Sequence, residues 1–152
     1  MPGFVVHEHH ATHLHFDFRL EMEGVLKSWA VPKGPSMNPK DKRLAIMVDD
    51  HALEYRSFEG VIPEGSYGAG AVVIWDKGEY ELLRGNLRAG RMEVLLKGKK
   101  LKGTFALVRM SGKEKEWLLI KKRDEFADDG FEMKTVLTPS LLKDLPAKSP
   151  AV

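Results

Sequence analysis

The 152-residue chain carries 24 Lys and Arg against 22 Asp and Glu, with 43% hydrophobic and 30% charged residues, the balance of one globular domain rather than of a disordered or strongly basic chain. It contains no cysteine, which removes disulfides, thiolate nucleophiles and cysteine-ligated metal sites, so any metal must be held by nitrogen and oxygen. No apolar run approaches the ~20 residues that span a bilayer, and the start, MPGFVVHEHH, lacks the features of a secretory signal, so a cytoplasmic protein with no membrane association is expected.

Residues 14–22 (LHFDFRLEM) alternate without error, Leu14, Phe16, Phe18, Leu20 and Met22 on one parity and His15, Asp17, Arg19 and Glu21 on the other. That pattern predicts a strand with one buried face. Glu23-Gly24 reads as a tight turn into a second strand, 25–31, which ends at a Pro/Gly-rich loop, PKGPSMNPK. Further strands are predicted at 43–48, 71–76, 79–83, 92–97, 104–110 and 116–121, with turns at 76–78, 84–86, Gly98 and 111–112. A short helix over 139–145 has Thr138 as its cap. Many short strands with glycine-containing turns indicate an all-β fold: one domain over 1–145, a closed or partly open β-barrel with few short helices, followed by a frayed C-terminal tail at 146–152.

Five of the six histidines fall between His7 and His15, and the sixth is His51. On a strand, residues two apart leave the same face about 7 Å apart, so His15 and Asp17 can converge on one cation. His9, in an extended lead-in of the same parity, supplies a third ligand. Two imidazoles and a carboxylate leave coordination positions open for water and substrate, as a catalytic metal requires. Alternating polar residues are more often a solvated face, but here Arg19 adds an anion-binding fork beside the would-be cation site. Asp49-Asp50-His51, with Tyr55, follows the strand at 43–48, where a histidine can steady phosphoryl charge or protonate a leaving oxygen. Lys33 and Arg43 bracket the Pro-rich loop and are candidates to reach a phosphate near Arg19. The stretch RGNLRAGRMEVLLKGKKLKG carries enough cations to contact a nucleic-acid backbone, although a charged hairpin is the commoner explanation. The loop IPEGSYGAG matches no phosphate-binding fingerprint and is assigned a structural role.

The run from His9 to Leu20 (HHATHLHFDFRL) resembles the phosphoesterase domain of bacterial DNA ligase D. So do LKSWAVPKGPS (26–36), DHALEY (50–55), FEGVIPEGSYGAG (58–70) and WLLIKKRDEFA (117–127), in order over most of the chain. The resemblance implies a metal-dependent β-barrel enzyme, using manganese or else cobalt or zinc, that removes 3'-phosphates and 3'-terminal ribonucleotides from DNA ends to leave 3'-hydroxyls for end joining. Carried over position by position, His9, His15 and Asp17 hold the metal, and Arg19, Arg43 and His51 contact the scissile phosphate with help from Tyr55 and Lys33. Glu21 and Asp49 are assigned supporting roles, as is His7, which stands where the family has glutamine or another polar residue. Because the chain starts just before the first motif, phosphomonoesterase activity is expected ahead of phosphodiesterase activity, with ligase, polymerase or end-binding partners as separate proteins. Two other readings stay open: a non-heme iron oxygenase using His15, Asp17 and His51 as a facial triad, and a noncatalytic nucleic-acid-binding barrel.

Overall fold

The computed structural model describes residues 1–149. Nine strands form in chain order: β1 (Gly3–His10), β2 (Leu14–Met22), β3 (Val25–Val31), β4 (Arg43–His51), β5 (Gly60–Ile62), β6 (Gly70–Asn86), β7 (Arg91–Lys97), β8 (Lys102–Arg109) and β9 (Glu116–Lys121). Eight of them close an antiparallel barrel in the order β1-β2-β3-β4-β9-β8-β7-β6, with β6 returning to pair with β1. The short β5 pairs with the start of β6 outside this ring. Closure removes the free edges that an open sheet would expose. No helix among the described residues is long and apolar enough to cross a membrane.

β2, β3 and β9 have the bounds that alternation predicted. The β2–β3 turn is the expected two-residue one, with Glu23 and Gly24 both at positive φ (57° and 78°), as a hairpin matched to strand twist requires. The helix α1 (Pro139–Asp144) is also present, with Thr138 Oγ1 accepting from Leu141 N at 3.2 Å.

Three expectations need correction. The lead-in around His9 is a full strand, β1, paired with both β2 and β6. The turns expected at 76–78 and 84–86 do not form, because β6 runs unbroken through both and the register instead shifts locally, opposite Val6/His7 and between Leu82 and Arg84. Such bulges bend one strand so that it serves two neighbours in turn. Gly85 (φ 77°) sits so close to β7 that a Cβ there would lie 2.1 Å from Arg91 O, so its glycine serves a bend rather than a turn. Asp76 accepts from the backbone N–H groups of Lys99, Lys100 and Leu101 and so caps the β7–β8 turn.

The third correction concerns β2. Its apolar parity, Phe16, Phe18 and Leu20, fills the barrel with Phe4, Val6, Trp29, Phe105, Trp117 and others. The middle of its polar parity, Asp17 and Arg19, is buried as well, because a 3-10 turn (Leu53–Ser57) and β5 cover that outer face through a second cluster of Leu26, Tyr55, Phe58, Ile62 and Val72. Phe131, Met133 and Val136, from the segment after β9, pack against the main core, and the buried Glu8 anchors that segment by accepting from Val136 N (2.7 Å) and Leu137 N (3.0 Å). Of the tail expected at 146–152, residues 146–148 dock on β5: Val61 N donates to Pro146 O (2.8 Å) and Lys148 N to Val61 O (3.1 Å). Residues 150–152 lie outside the described part of the chain.

Candidate metal and phosphate site

Antiparallel register builds the site. Across β1 and β2, His9 pairs with His15 and His7 with Asp17; across β2 and β3, Arg19 pairs with Ser28. These residues share the outer face of the barrel because paired residues project to the same side of a sheet.

The metal-ligand group is His9, His15 and Asp17, each offering one donor atom and all three atoms lying within 4.8 Å of one another. Each imidazole commits one nitrogen elsewhere: His9 Nε2 donates to Gly68 O (2.7 Å), and His15 Nδ1 donates to His13 O (3.0 Å). Held that way, the rings turn their other nitrogens, His9 Nδ1 and His15 Nε2, towards Asp17 Oδ2 at 3.5 and 3.3 Å. A cation suits this arrangement, and backbone carbonyls that set the tautomer of ligating histidines are a recurrent feature of metal sites. The donor set is therefore fit for a divalent ion of nitrogen and oxygen preference. His15 is the open side of the group, its side chain 25% exposed against 9% for His9 and 8% for Asp17.

Protonation follows the same logic. The bond to Asp17 raises the His15 pKa against the opposing effect of burial. Burial alone would raise the Asp17 carboxyl, but hydrogen bonds from His15 and His9 and the Arg19 charge outweigh it and hold it well below the usual carboxylate range.

Arg19 is the hub on the other side. Its Nη2 lies 3.4 Å from Asp17 Oδ2, its Nε donates to His7 Nδ1 (3.0 Å), and its Nη1 donates to Ser28 Oγ (2.9 Å). The guanidinium lies over the Tyr55 ring, 4.8 Å from its centroid. His51 Nδ1 is 3.2 Å from Arg19 Nη1 and 3.1 Å from Asp49 O, and the His51 ring rests against Tyr55 at 4.8 Å. Burial, then the Arg19 charge, lowers the His51 pKa, favouring a neutral ring. Burial first, and Arg19 second, pushes the His7 pKa down to about 3. His7 therefore accepts from Arg19 as a neutral ring, leaving its Nε2 buried with no hydrogen-bond partner.

The structure thus gathers seven of the residues singled out in the sequence: His7, His9, His15, Asp17, Arg19, His51 and Tyr55. Four others stand apart. Glu21 pairs with Arg56 (3.0 Å), bracing the 3-10 turn that carries Tyr55. Asp49 meets His51 through its carbonyl rather than its carboxylate. Lys33 is exposed in the turn after β3. Arg43, expected at the phosphate, shares the β4 parity of core residue Ala45, and its Nη2 pairs with Asp41 (3.5 Å) at the Pro-rich loop. His51 lies outside the ligand group, so the triad of His15, Asp17 and His51 is not the one assembled. In the basic stretch, Lys97 pairs with Glu81 and Lys100 donates to Trp75 O.

Sequence reasoning missed Ser28 and Gly68. Ser28 was within reach, since the two-residue turn at Glu23-Gly24 dictates that Arg19 faces it. Gly68 carried no local sign that its carbonyl would hold a histidine.

The family model for the DNA Ligase D 3'-phosphoesterase domain matches residues 7–109. The chain is 49% identical over 126 residues to the multifunctional non-homologous end joining protein LigD of Pseudomonas aeruginosa, a match covering 80% of this chain and 15% of that protein. It is 45% identical over 140 residues to the multifunctional non-homologous end joining DNA repair protein LigD of Mycobacterium tuberculosis, covering 91% of this chain and 18% of that protein. The chain therefore spans less than a fifth of the length of these relatives.

Proposed function

Since the chain belongs to the DNA ligase D 3'-phosphoesterase domain family, we propose that it is a metal-dependent hydrolase of phosphate esters at nucleic-acid 3' ends, serving end-joining repair. Its substrates are DNA or RNA-terminated DNA ends bearing a 3'-phosphate or a 3'-terminal ribonucleotide, and its product is a 3'-hydroxyl that polymerase and ligase activities can use. The observation that carries this reading is one carboxylate oxygen, Asp17 Oδ2, within 3.5 Å of both candidate ligand histidines and of the Arg19 guanidinium. An ion and a guanidinium so close together suit a group that bridges them, as a phosphate does. An iron oxygenase would use the same two-histidine, one-carboxylate donor set, so oxygen uptake with iron and an oxoacid, without release from a 3'-phosphorylated primer, would favour that reading instead.

His9, His15 and Asp17 hold the ion, manganese in the first instance with cobalt or zinc as alternatives. Such an ion supplies Lewis-acid polarisation of a phosphate oxygen and a water activated for attack. Arg19 offsets charge gathering on the phosphoryl oxygens; because His7, Ser28 and Asp17 hold it in place, little reorganisation is needed when that charge develops. His51, as a neutral ring, contacts the phosphate, and Tyr55 supports both Arg19 and His51 with its ring.

The test uses primer–template duplexes ending in a 3'-phosphate or a 3' ribonucleotide, across manganese, cobalt, zinc and magnesium. Metal-stimulated release that Asp17→Asn abolishes while the fold survives supports the reading. Release that needs no metal, or that survives in the variant, refutes it; salt-sensitive binding without any release would make the protein a noncatalytic binder.

A further inference from the structure

The chain has three tyrosines. Tyr55 and Tyr80 are buried at 4% and 2% exposure, whereas Tyr67 is 98% exposed. Lone exposed aromatics are ordinary on protein surfaces, but the position of this one is not. Tyr67 sits in the loop between β5 and β6, immediately before Gly68, whose carbonyl accepts from the candidate ligand His9 at 2.7 Å. Adjacent Cα atoms are about 3.8 Å apart, so the tyrosine is carried at the rim of the metal site.

The loop has a defined path. Ser66 N donates to Pro63 O and Ala69 N to Ser66 O, both at 3.2 Å, which makes two successive turns. Gly65 (φ 86°) and Gly68 (φ 77°), on either side, take left-handed conformations that a side chain would strain. Together with the His9 contact, these features hold an aromatic ring in water on a fixed backbone beside a centre that handles phosphate.

We propose that the Tyr67 ring is a stacking platform for the terminal nucleobase of the strand whose 3' end enters the site. The inference rests on the 3'-end function proposed above and adds a base subsite to it. Stacking is tolerant of sequence because every base presents a π-face, which suits an enzyme that must accept ends of any sequence. The phenolic oxygen plays no part, so phenylalanine should serve as well as tyrosine.

The experiment compares two primers carrying the same 3'-phosphate, one ending in an ordinary nucleotide and one in an abasic sugar, with the unaltered protein, Tyr67→Phe and Tyr67→Ala. The base-bearing primer should have a KM lower by roughly ten-fold in the unaltered protein and in Tyr67→Phe. In Tyr67→Ala that advantage should vanish, with turnover of the abasic primer and manganese affinity unchanged. An advantage that persists in Tyr67→Ala, or an equal loss on both primers with weakened manganese binding, would overturn the stacking role and leave the ring structural or bound to something else. Failure of the unaltered protein to release phosphate from either primer would instead overturn the 3'-end function, and the base subsite with it.

Discussion

Replacing Ser28 with alanine probes how firmly Arg19 must be held. Ser28 is fully buried; its hydroxyl accepts from Arg19 Nη1 at 2.9 Å and donates to Leu26 O at 3.0 Å. Alanine keeps the Cβ and opens little space, so nearly the whole effect comes from hydrogen bonding. One N–H of a buried guanidinium loses its acceptor, worth about 1.5–3 kcal/mol for a charged bond, and a buried carbonyl loses a donor, worth about 1 kcal/mol. A loss of about 2–4 kcal/mol lowers the Tm of a domain this size by roughly 5–15 °C, measurable by calorimetry at pH 7. Arg19 would keep His7 and Asp17 as partners, so its head should shift rather than leave. A shift of that order should cut kcat for 3'-phosphate release by roughly ten- to a hundred-fold at saturating manganese. A Tm within a degree of the unaltered protein together with unchanged kcat would refute the reasoning, since Asp17 and His7 would then suffice to fix the guanidinium.

His7, held near 3 by burial and Arg19, is neutral when folded and has an ordinary pKa near 6.5 when unfolded. The unfolded chain therefore takes up a proton that the native one refuses, so stability that neutral His7 contributes above pH 6.5 is lost towards pH 3 at up to about 1.4 kcal/mol per pH unit; His7→Gln should flatten the fall in Tm between pH 7 and 5, and parallel curves for the two proteins would refute this. His51→Ala should reduce turnover strongly with manganese affinity kept, because His51 lies outside the ligand group; calorimetric loss of the metal would make it a ligand instead. Arg43→Ala should cost little stability, about 1 kcal/mol or less for a partly exposed pair, but should raise KM for the primer by loosening the loop that Asp41 ties to Ser36 (2.6 Å) and Arg43. An unchanged KM would exclude that loop from substrate contact.

What could be read from the sequence depended on whether local pattern or closure of the barrel decided the outcome. Strict alternation gave β2, the positive-φ pair Glu23-Gly24 gave the hairpin, and together they set the register that aligns Arg19 with Ser28. β1 was harder, because a strand paired on both edges and buried on both faces shows no alternation: GFVVHEHH places Val5 and His7 on one side and Phe4 and Val6 on the other, all of them buried. β6 misled because glycine near Asp or Asn signals a turn locally, whereas closure required one long strand, bent by bulges at Trp75 and Leu83 just before the expected turns. Arg43 was placed by its distance along the chain from Arg19, yet its side of the sheet depends on β4 parity, which the register shift between Leu26 and Ser28 changes before His51 but not at Arg43.

The polar parity of β2 poses the sharper question, since composition alone cannot tell a solvated face from a site. The difference lies in partners. A solvated strand face would leave His9, His15 and Arg19 bonded to water, whereas here each imidazole gives its N–H to a backbone carbonyl and the guanidinium engages Asp17, His7 and Ser28. These contacts fix both rings with their second nitrogens turned to the Asp17 carboxylate, so that the three donor atoms lie within 4.8 Å of one another, as an ion would need. Covering that face with Tyr55, Phe58 and Ile62 lowers the local dielectric and strengthens each of these electrostatic contacts. The same burial that hid the site from a reading of solvated residues thus supplies the fixed, weakly hydrated donor group that a divalent ion can fill.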